Sequence, residues 1–190
     1  MLIEVLIIIL CYLLGSLPAG YFLVKYFSHE DIRETGSQSV GATNVGRLLG
    51  TKGFLITFCI DCFKSFLVVF LIIYVFDKNG LTYFSALGLV LGHIYPIFLN
   101  LKGGKGIAVT LGVLLAYNYI LLFVLLVALG LTYLFLRKFT SSGLLALMVL
   151  PLYNITFKED YFELAFLIIL NIIILIAHKK HIQSFLKQDL

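Results

Sequence analysis

Charged side chains are scarce in this sequence. They make up 13% of the 190 residues, where a soluble domain carries about 25%. With 61% hydrophobic residues and a mean hydropathy of +1.06, the shortage excludes a surface that faces water all round. The chain therefore reads as an integral membrane protein. A basic segment is missing ahead of the first apolar run, "MLIEVLIIILCYLLG", and Glu4 stands where a cleaved signal would carry Lys or Arg. This run is expected to be a retained span. Cysteine is sparse as well. Cys11, Cys59 and Cys62 all fall in apolar runs, and the Cys-x-x-Cys spacing of the last two has no second pair beside it. Small buried residues are expected there rather than a metal or redox site. No metal-ligand cluster stands out, so no metal and no other cofactor is expected, and nothing suggests a nucleic-acid partner.

What is abundant is apolar sequence in runs long enough to cross a bilayer, which takes about 20 residues. Candidates are 3–26, 54–76, 82–100 and 160–177, with 140–157 shorter and interrupted by Pro151. The run 107–136 is too long for one span and short for two, unless 107–117 is a stub and Asn118 marks a turn. Loop charge favours two segments. With seven spans and the N-terminus outside, the cytoplasmic side collects Lys25, Arg33, Arg47, Lys52, Lys102, Lys105, Arg137, Lys138, Lys179, Lys180 and Lys187, leaving only Lys78 and Lys158 outside. With a single span over 107–136 the bias disappears. The expected fold is an all-α polytopic membrane bundle, one domain over 1–190, with seven segments and a cytoplasmic C-terminus. The polar stretches 28–52, 101–106 and 178–190 then share the cytoplasmic face.

Two of these stretches point to an anion. In "KGGKG" (102–106), glycines can turn backbone N–H groups inward as a nest ahead of a helix N-terminus at Ile107, with Lys102 and Lys105 alongside. A flexible loop with two topology-holding lysines is the plainer reading. The second stretch, "TGSQSVGATNVGRLLG" (35–50), joins Ser37, Thr43, Asn44 and Arg47 to four glycines. Small hydroxyls, an amide and one guanidinium suit a phosphorylated polyol better than they suit mere turns. Inside the spans, Asp61 and Lys64 stand on one helical face, as a structural lock or a catalytic pair. His93 is either a satisfied interior histidine or a proton acceptor. His178 and His181 are membrane-edge residues or a third wall of the anion site.

In order, "GSLPAGYF", "GSQSVGATNVGR", "DCFKS", "GHIYPIFLNLKGGKG" and "HKKHIQSFLK" together resemble the bacterial acyl-phosphate:glycerol-3-phosphate acyltransferases, the PlsY family, from about residue 15 onward. The resemblance implies seven spans and transfer of an acyl chain from acyl phosphate to the 1-hydroxyl of glycerol 3-phosphate, giving lysophosphatidic acid and phosphate. It implies site residues Ser37, Thr43, Asn44 and Arg47 from the first motif, His93, Lys102, Gly103, Gly104 and Lys105 from the second, and His178 from the third. It also implies a soluble phosphate acyltransferase as supplier of acyl phosphate. The resemblance is to a divergent member. Gln38 and Ser39 replace the usual Gly-Asn after Gly36-Ser37, and Ser65 follows Lys64 where the family has Gly. In the third motif His181 and Ser184 replace Asn and Arg, and the closing Gly-x-Glu is absent.

A mixed anhydride already carries a good leaving group, so the expected chemistry is alignment of two anions and direct attack, without an acyl-enzyme. Lys105, Arg47, Ser37 and His93 are the expected catalytic set. The proton acceptor is a substrate phosphate oxygen, His93 or His178. Two rivals stand beside this reading: a non-catalytic paralogue that binds phosphate or lipid, and a transporter of a phosphorylated solute.

Overall fold

The computed structural model describes residues 1–76 and 79–188, with no side-chain placement for 79 or 186–188. Lys78, counted above on the outer side, lies outside these residues, as does the Lys187 side chain. The described chain is all helix, as expected where lipid leaves backbone polar groups no partner but each other. The elements are α1 (Leu2–Gly15), α2 (Ala19–Phe27), α3 (Ala42–Phe76), α4 (Asn79–Ile94), α5 (Ile107–Tyr117), α6 (Tyr119–Leu136), α7 (Phe139–Phe157), α8 (Tyr161–Ala177) and α9 (Lys179–Gln188). Short 3₁₀ turns occupy Ile32–Glu34 and Ile97–Leu99. Among the described residues, five helical segments are long and apolar enough to cross a membrane, the first being α1 and α2 together, or six if the α8–α9 pair, bent by 68°, is one span. α5 is a shorter apolar helix of 11 residues.

The first compact unit is Met1–Tyr117. Small residues let its helices approach closely. A Cβ at Gly15 would meet the Leu89 backbone and one at Gly92 the Tyr12 backbone, which seats α1 on α4. α3 lies along α5, where the Ser65 hydroxyl donates to the Val109 carbonyl at 2.9 Å. The serine at the family's glycine position is thus accommodated by an interhelical hydrogen bond.

The first span, Leu2–Phe27, is broken at Ser16–Pro18, and here the Asp61–Lys64 pair finds its place. Lys64 Nζ bonds Asp61 Oδ1 at 2.9 Å and donates to the Leu17 carbonyl at 2.9 Å, while the same Asp61 oxygen accepts the Ala19 N–H at 3.3 Å. The cation meets the C-terminal carbonyls of α1 and the anion the N-terminus of α2, so each charge faces the helix end of opposite sign. The pair is a lock across the break.

Two expectations are corrected. Residues 42–49, read as loop, form a helix that runs into 51–76 across a turn at Gly50 (φ 69°, ψ −168°), a conformation open essentially to glycine alone. The apolar spacing of Val45, Leu48 and Leu49 explains it, since these pack with Val24, Ile32, Val40 and Leu99. Pro151 does not interrupt α7, which is continuous over its 19 residues. The stub α5 and the break at Asn118 occur as expected, with the Asn118 side chain accepting the Ile120 N–H.

The second unit is Asn118–Leu190. α6 and α7 form a hairpin through Arg137, whose φ is 52°, and Thr132 Oγ1 donates across it to the Ser142 carbonyl at 3.1 Å. Asp160 caps α8 by accepting the Phe162 and Glu163 N–H groups. α9 follows after the turn at His178.

Candidate functional site

The first stretch singled out by sequence is organised around Asn44. Its side chain is 2% exposed. Oδ1 accepts the Ser37 N–H at 2.9 Å, and Nδ2 donates to the carbonyls of Thr35 and Ser39 at 3.0 Å each and of Ile32 at 3.3 Å. The amide therefore ties down the loop before α3, leaving Ser37, Thr43 and Arg47 exposed around it. Gln38, where the family carries glycine, holds that loop's left-handed φ of 59°.

The second stretch folds back over the end of α4. The Gly103 N–H donates to the Ile94 carbonyl at 3.1 Å and the Gly104 N–H to the His93 carbonyl at 2.9 Å. These two N–H groups cap a helix and do not form the anion nest expected from the glycines, and only Gly106 has a positive φ, 82°. The need for glycine has another cause. A Cβ at Gly103 would run into the His93 carbonyl and Pro96, and one at Gly104 into the His93 ring. The loop lies flat on His93, which is 2% exposed. On its inner side His93 Nδ1 stands 3.8 Å from Asp61 Oδ1.

The two stretches, about 60 residues apart in the chain, are joined. The Val40 N–H donates to the Gly103 carbonyl at 3.3 Å. Arg33 Nη1 donates to the Leu99 carbonyl at 3.2 Å while its fork grips Asp31 and stacks over Tyr21. That pairing holds the Asp31 carboxyl below its usual range. Sequence reasoning missed Arg33 and Asp31 because residues two apart announce no ion pair. Arg47, near the start of α3, is close enough to Lys105 to act on it electrostatically. Burial lowers the pKa of the half-buried Lys105 ammonium, and the Arg47 guanidinium lowers it further. Ser37, Thr43, Arg47 and Lys102 are exposed on the same two stretches, and hydroxyls beside cations are groups of the kind that can bind a phosphate.

His178 belongs to the second unit. It is buried, and its Nδ1 meets the Ile174 carbonyl at 2.9 Å. His181 Nε2 stands 3.2 Å from Ser141 Oγ, and Ser184 Oγ donates to the His181 carbonyl.

The chain matches the family model described as glycerol-3-phosphate acyltransferase over residues 5–188. It is 39% identical to glycerol-3-phosphate acyltransferase 1 of Desulfitobacterium hafniense, over 99% of this chain and 93% of that one. It is 37% identical to the glycerol-3-phosphate acyltransferase of Staphylococcus haemolyticus, over 97% and 95%. It superimposes on the crystal structure of PlsY, an integral membrane glycerol 3-phosphate acyltransferase, in its glycerol 3-phosphate form, with a TM-score of 0.89, 30% identity and coverage of 97% and 92%. A match that runs over residues 5–188, together with relatives 37–39% identical along nearly the whole chain, leaves one assignment: this protein belongs to the glycerol-3-phosphate acyltransferase family.

Proposed function

We propose that the chain acylates the 1-hydroxyl of glycerol 3-phosphate with the acyl group of an acyl phosphate, at the cytoplasmic edge of the cell membrane. The observation that carries this is the pinning of the two polar stretches to each other, Val40 to Gly103 and Arg33 to Leu99, which sets the Lys105 loop beside the segment that leads from Ser37 into Arg47 at the start of α3. The acceptor hydroxyl attacks the carbonyl carbon, the bond from that carbon to the phosphate oxygen breaks, and its electron pair leaves with phosphate. Arg47 and Lys105 offset the charge gathering on the leaving oxygen, a preorganised electrostatic contribution. Ser37, Thr43 and Lys102 hold the acceptor's phosphate and hydroxyls, and proximity supplies most of the acceleration. Gly103 and Gly104 serve by fitting close, and Asn44 by holding its loop. The attacking hydroxyl gives its proton to a phosphate oxygen, a role that the covering of His93 by Gly104 supports. His178 enters by its motif position alone.

The lysine and arginine bias supports seven segments with the N-terminus outside, counting the broken first span as one and α5 as a short one. The family match across both units supports a single acyltransferase domain. The family resemblance implies a soluble enzyme that supplies acyl phosphate.

The test is phosphate release by the purified protein in lipid, given palmitoyl phosphate and glycerol 3-phosphate, with Lys105→Ala in parallel. Acceptor-dependent release that the substitution abolishes is expected. No release while glycerol 3-phosphate still binds saturably would refute turnover and identify a binding paralogue.

A further inference from the structure

We infer that Asp61 and His93 act as a buried positioning pair that sets the loop carrying Lys105, an inference that rests on the role proposed above for that lysine. Asp61 is 1% exposed and has one oxygen fully committed. Oδ1 takes Lys64 and the Ala19 N–H, whereas Oδ2 is buried without a partner among the described residues. His93 is in the same condition, with Nδ1 buried, unpartnered and 3.8 Å from that carboxylate. The oxygen that faces Nδ1 is Oδ1, the one already bonded to Lys64 and Ala19; an unpaired buried N–H is costly, and a hydrogen bond to this carboxylate would satisfy the imidazole. The gap is longer than a hydrogen bond, and contacts of this kind shorten when substrate loads a site.

The pairing has a direction. A carboxylate only accepts, so Nδ1 must carry the ring proton. Nε2, the ring atom against which Gly104 lies, is then bare. In the other tautomer an N–H would project into the Gly104 backbone and lift it. Lys105 is the next residue, so the ring's tautomer and tilt set the height of its ammonium relative to Arg47. The chain of support runs from the break in the first span through Lys64 and Asp61 to His93, then to Gly104 and Lys105. Neither Asp61 nor His93 touches substrate in this arrangement. Where a carboxylate orients a metal-bound imidazole from behind, its loss costs about 10- to 100-fold, and that lower bound is taken as the scale for this pair.

The test is nitrogen-15 histidine spectroscopy on the full chain in lipid, read alongside kcat/KM for glycerol 3-phosphate. The sequence has four histidines, and His93→Gln assigns the signal. The expected native signature is a neutral ring protonated at Nδ1. Asp61→Asn should move the proton to Nε2 and lower kcat/KM at least about 10-fold. His93→Gln should show a similar loss. As a control away from the pair, Thr132→Ala removes the hydroxyl bond to the Ser142 carbonyl between α6 and α7. It should lower the thermal midpoint but leave tautomer and kcat/KM unchanged. A native ring protonated at Nε2, or full kcat/KM in either Asp61→Asn or His93→Gln, overturns the pair. If the native protein gives no acceptor-dependent phosphate release, the catalytic reading of Lys105 falls instead, while the native tautomer still decides whether the two groups are paired.

Discussion

Replacing Gly104 with alanine is the sharpest perturbation of this site, because it adds a single methyl group where three independent constraints meet. An ideal Cβ at that position falls within contact of Nε2, Cδ2 and Cε1 of His93. The ring has little room to retreat, since Asp61 stands behind it, anchored by Lys64 and the Ala19 N–H. The loop cannot rise without losing the Gly104 hydrogen bond to the His93 carbonyl and straining that of Gly103 to Ile94. Overpacking of this kind costs about 1–3 kcal/mol, and abandoning a buried carbonyl costs about as much. Gly104→Ala should therefore destabilise the protein by about 1–3 kcal/mol whichever way it relaxes. If the loop yields by about 1 Å, turnover should fall roughly 100-fold, because Lys105 moves with it. The control is Gly130→Ala in α6, where a Cβ meets nothing within 4 Å and helix propensity favours alanine by up to about 1 kcal/mol. Thermal unfolding in lipid and acceptor-dependent phosphate release measure both effects. Unchanged stability and turnover in Gly104→Ala, or equal damage in Gly130→Ala, would refute the fitted-loop argument.

The same geometry sets three other expectations. Asn44→Ala strips one acceptor and three donor contacts from the buried heart of the first loop. It should cost about 2–4 kcal/mol and raise KM for glycerol 3-phosphate, as read by thermal unfolding and initial rates. Gln38→Gly removes a side chain from a left-handed position that costs an L-residue about 1–2 kcal/mol. The thermal midpoint should rise by the equivalent of about 0.5–1 kcal/mol after the glycine's entropy is offset. Lys105 has its pKa lowered by burial and by Arg47, so it loses its proton below the ordinary lysine value of about 10.4. The kcat/KM profile should fall on its alkaline side below that pH. A bound phosphate draws the pKa back up, so the kcat limb lies higher. In Lys105→Arg, whose guanidinium stays charged, the limb should vanish from the accessible range.

The parts of this molecule that were legible in the sequence are those where one physical force acts on a contiguous run. Apolar length alone marks the spans, and the surplus of uncharged residues over 107–136 marks both the short α5 and the break at Asn118. The lysines, Arg47 and the glycines of the two loops were legible because charge and conformational freedom near a membrane need a reason. Their reasons were harder to read. Spacing suggested that Gly103 and Gly104 offer N–H groups to an anion, but a glycine is equally required where a side chain would strike a neighbour. Only the fold shows that the neighbour is His93. Asn44 likewise carries the composition of a ligand residue and the burial of a keystone. The Arg33–Leu99 and Val40–Gly103 ties join residues more than 60 positions apart, and one of their ends is a backbone atom, which any residue could supply. Contacts of that kind leave no trace in residue identity. Asp61 shows how far identity can still go. A charge three residues from its opposite inside a span had to be paired, and the pairing with Lys64 follows from cost alone. That the pair also closes the break at Ser16–Pro18 follows only from where α1 stops, and its facing of His93 only from where α4 packs.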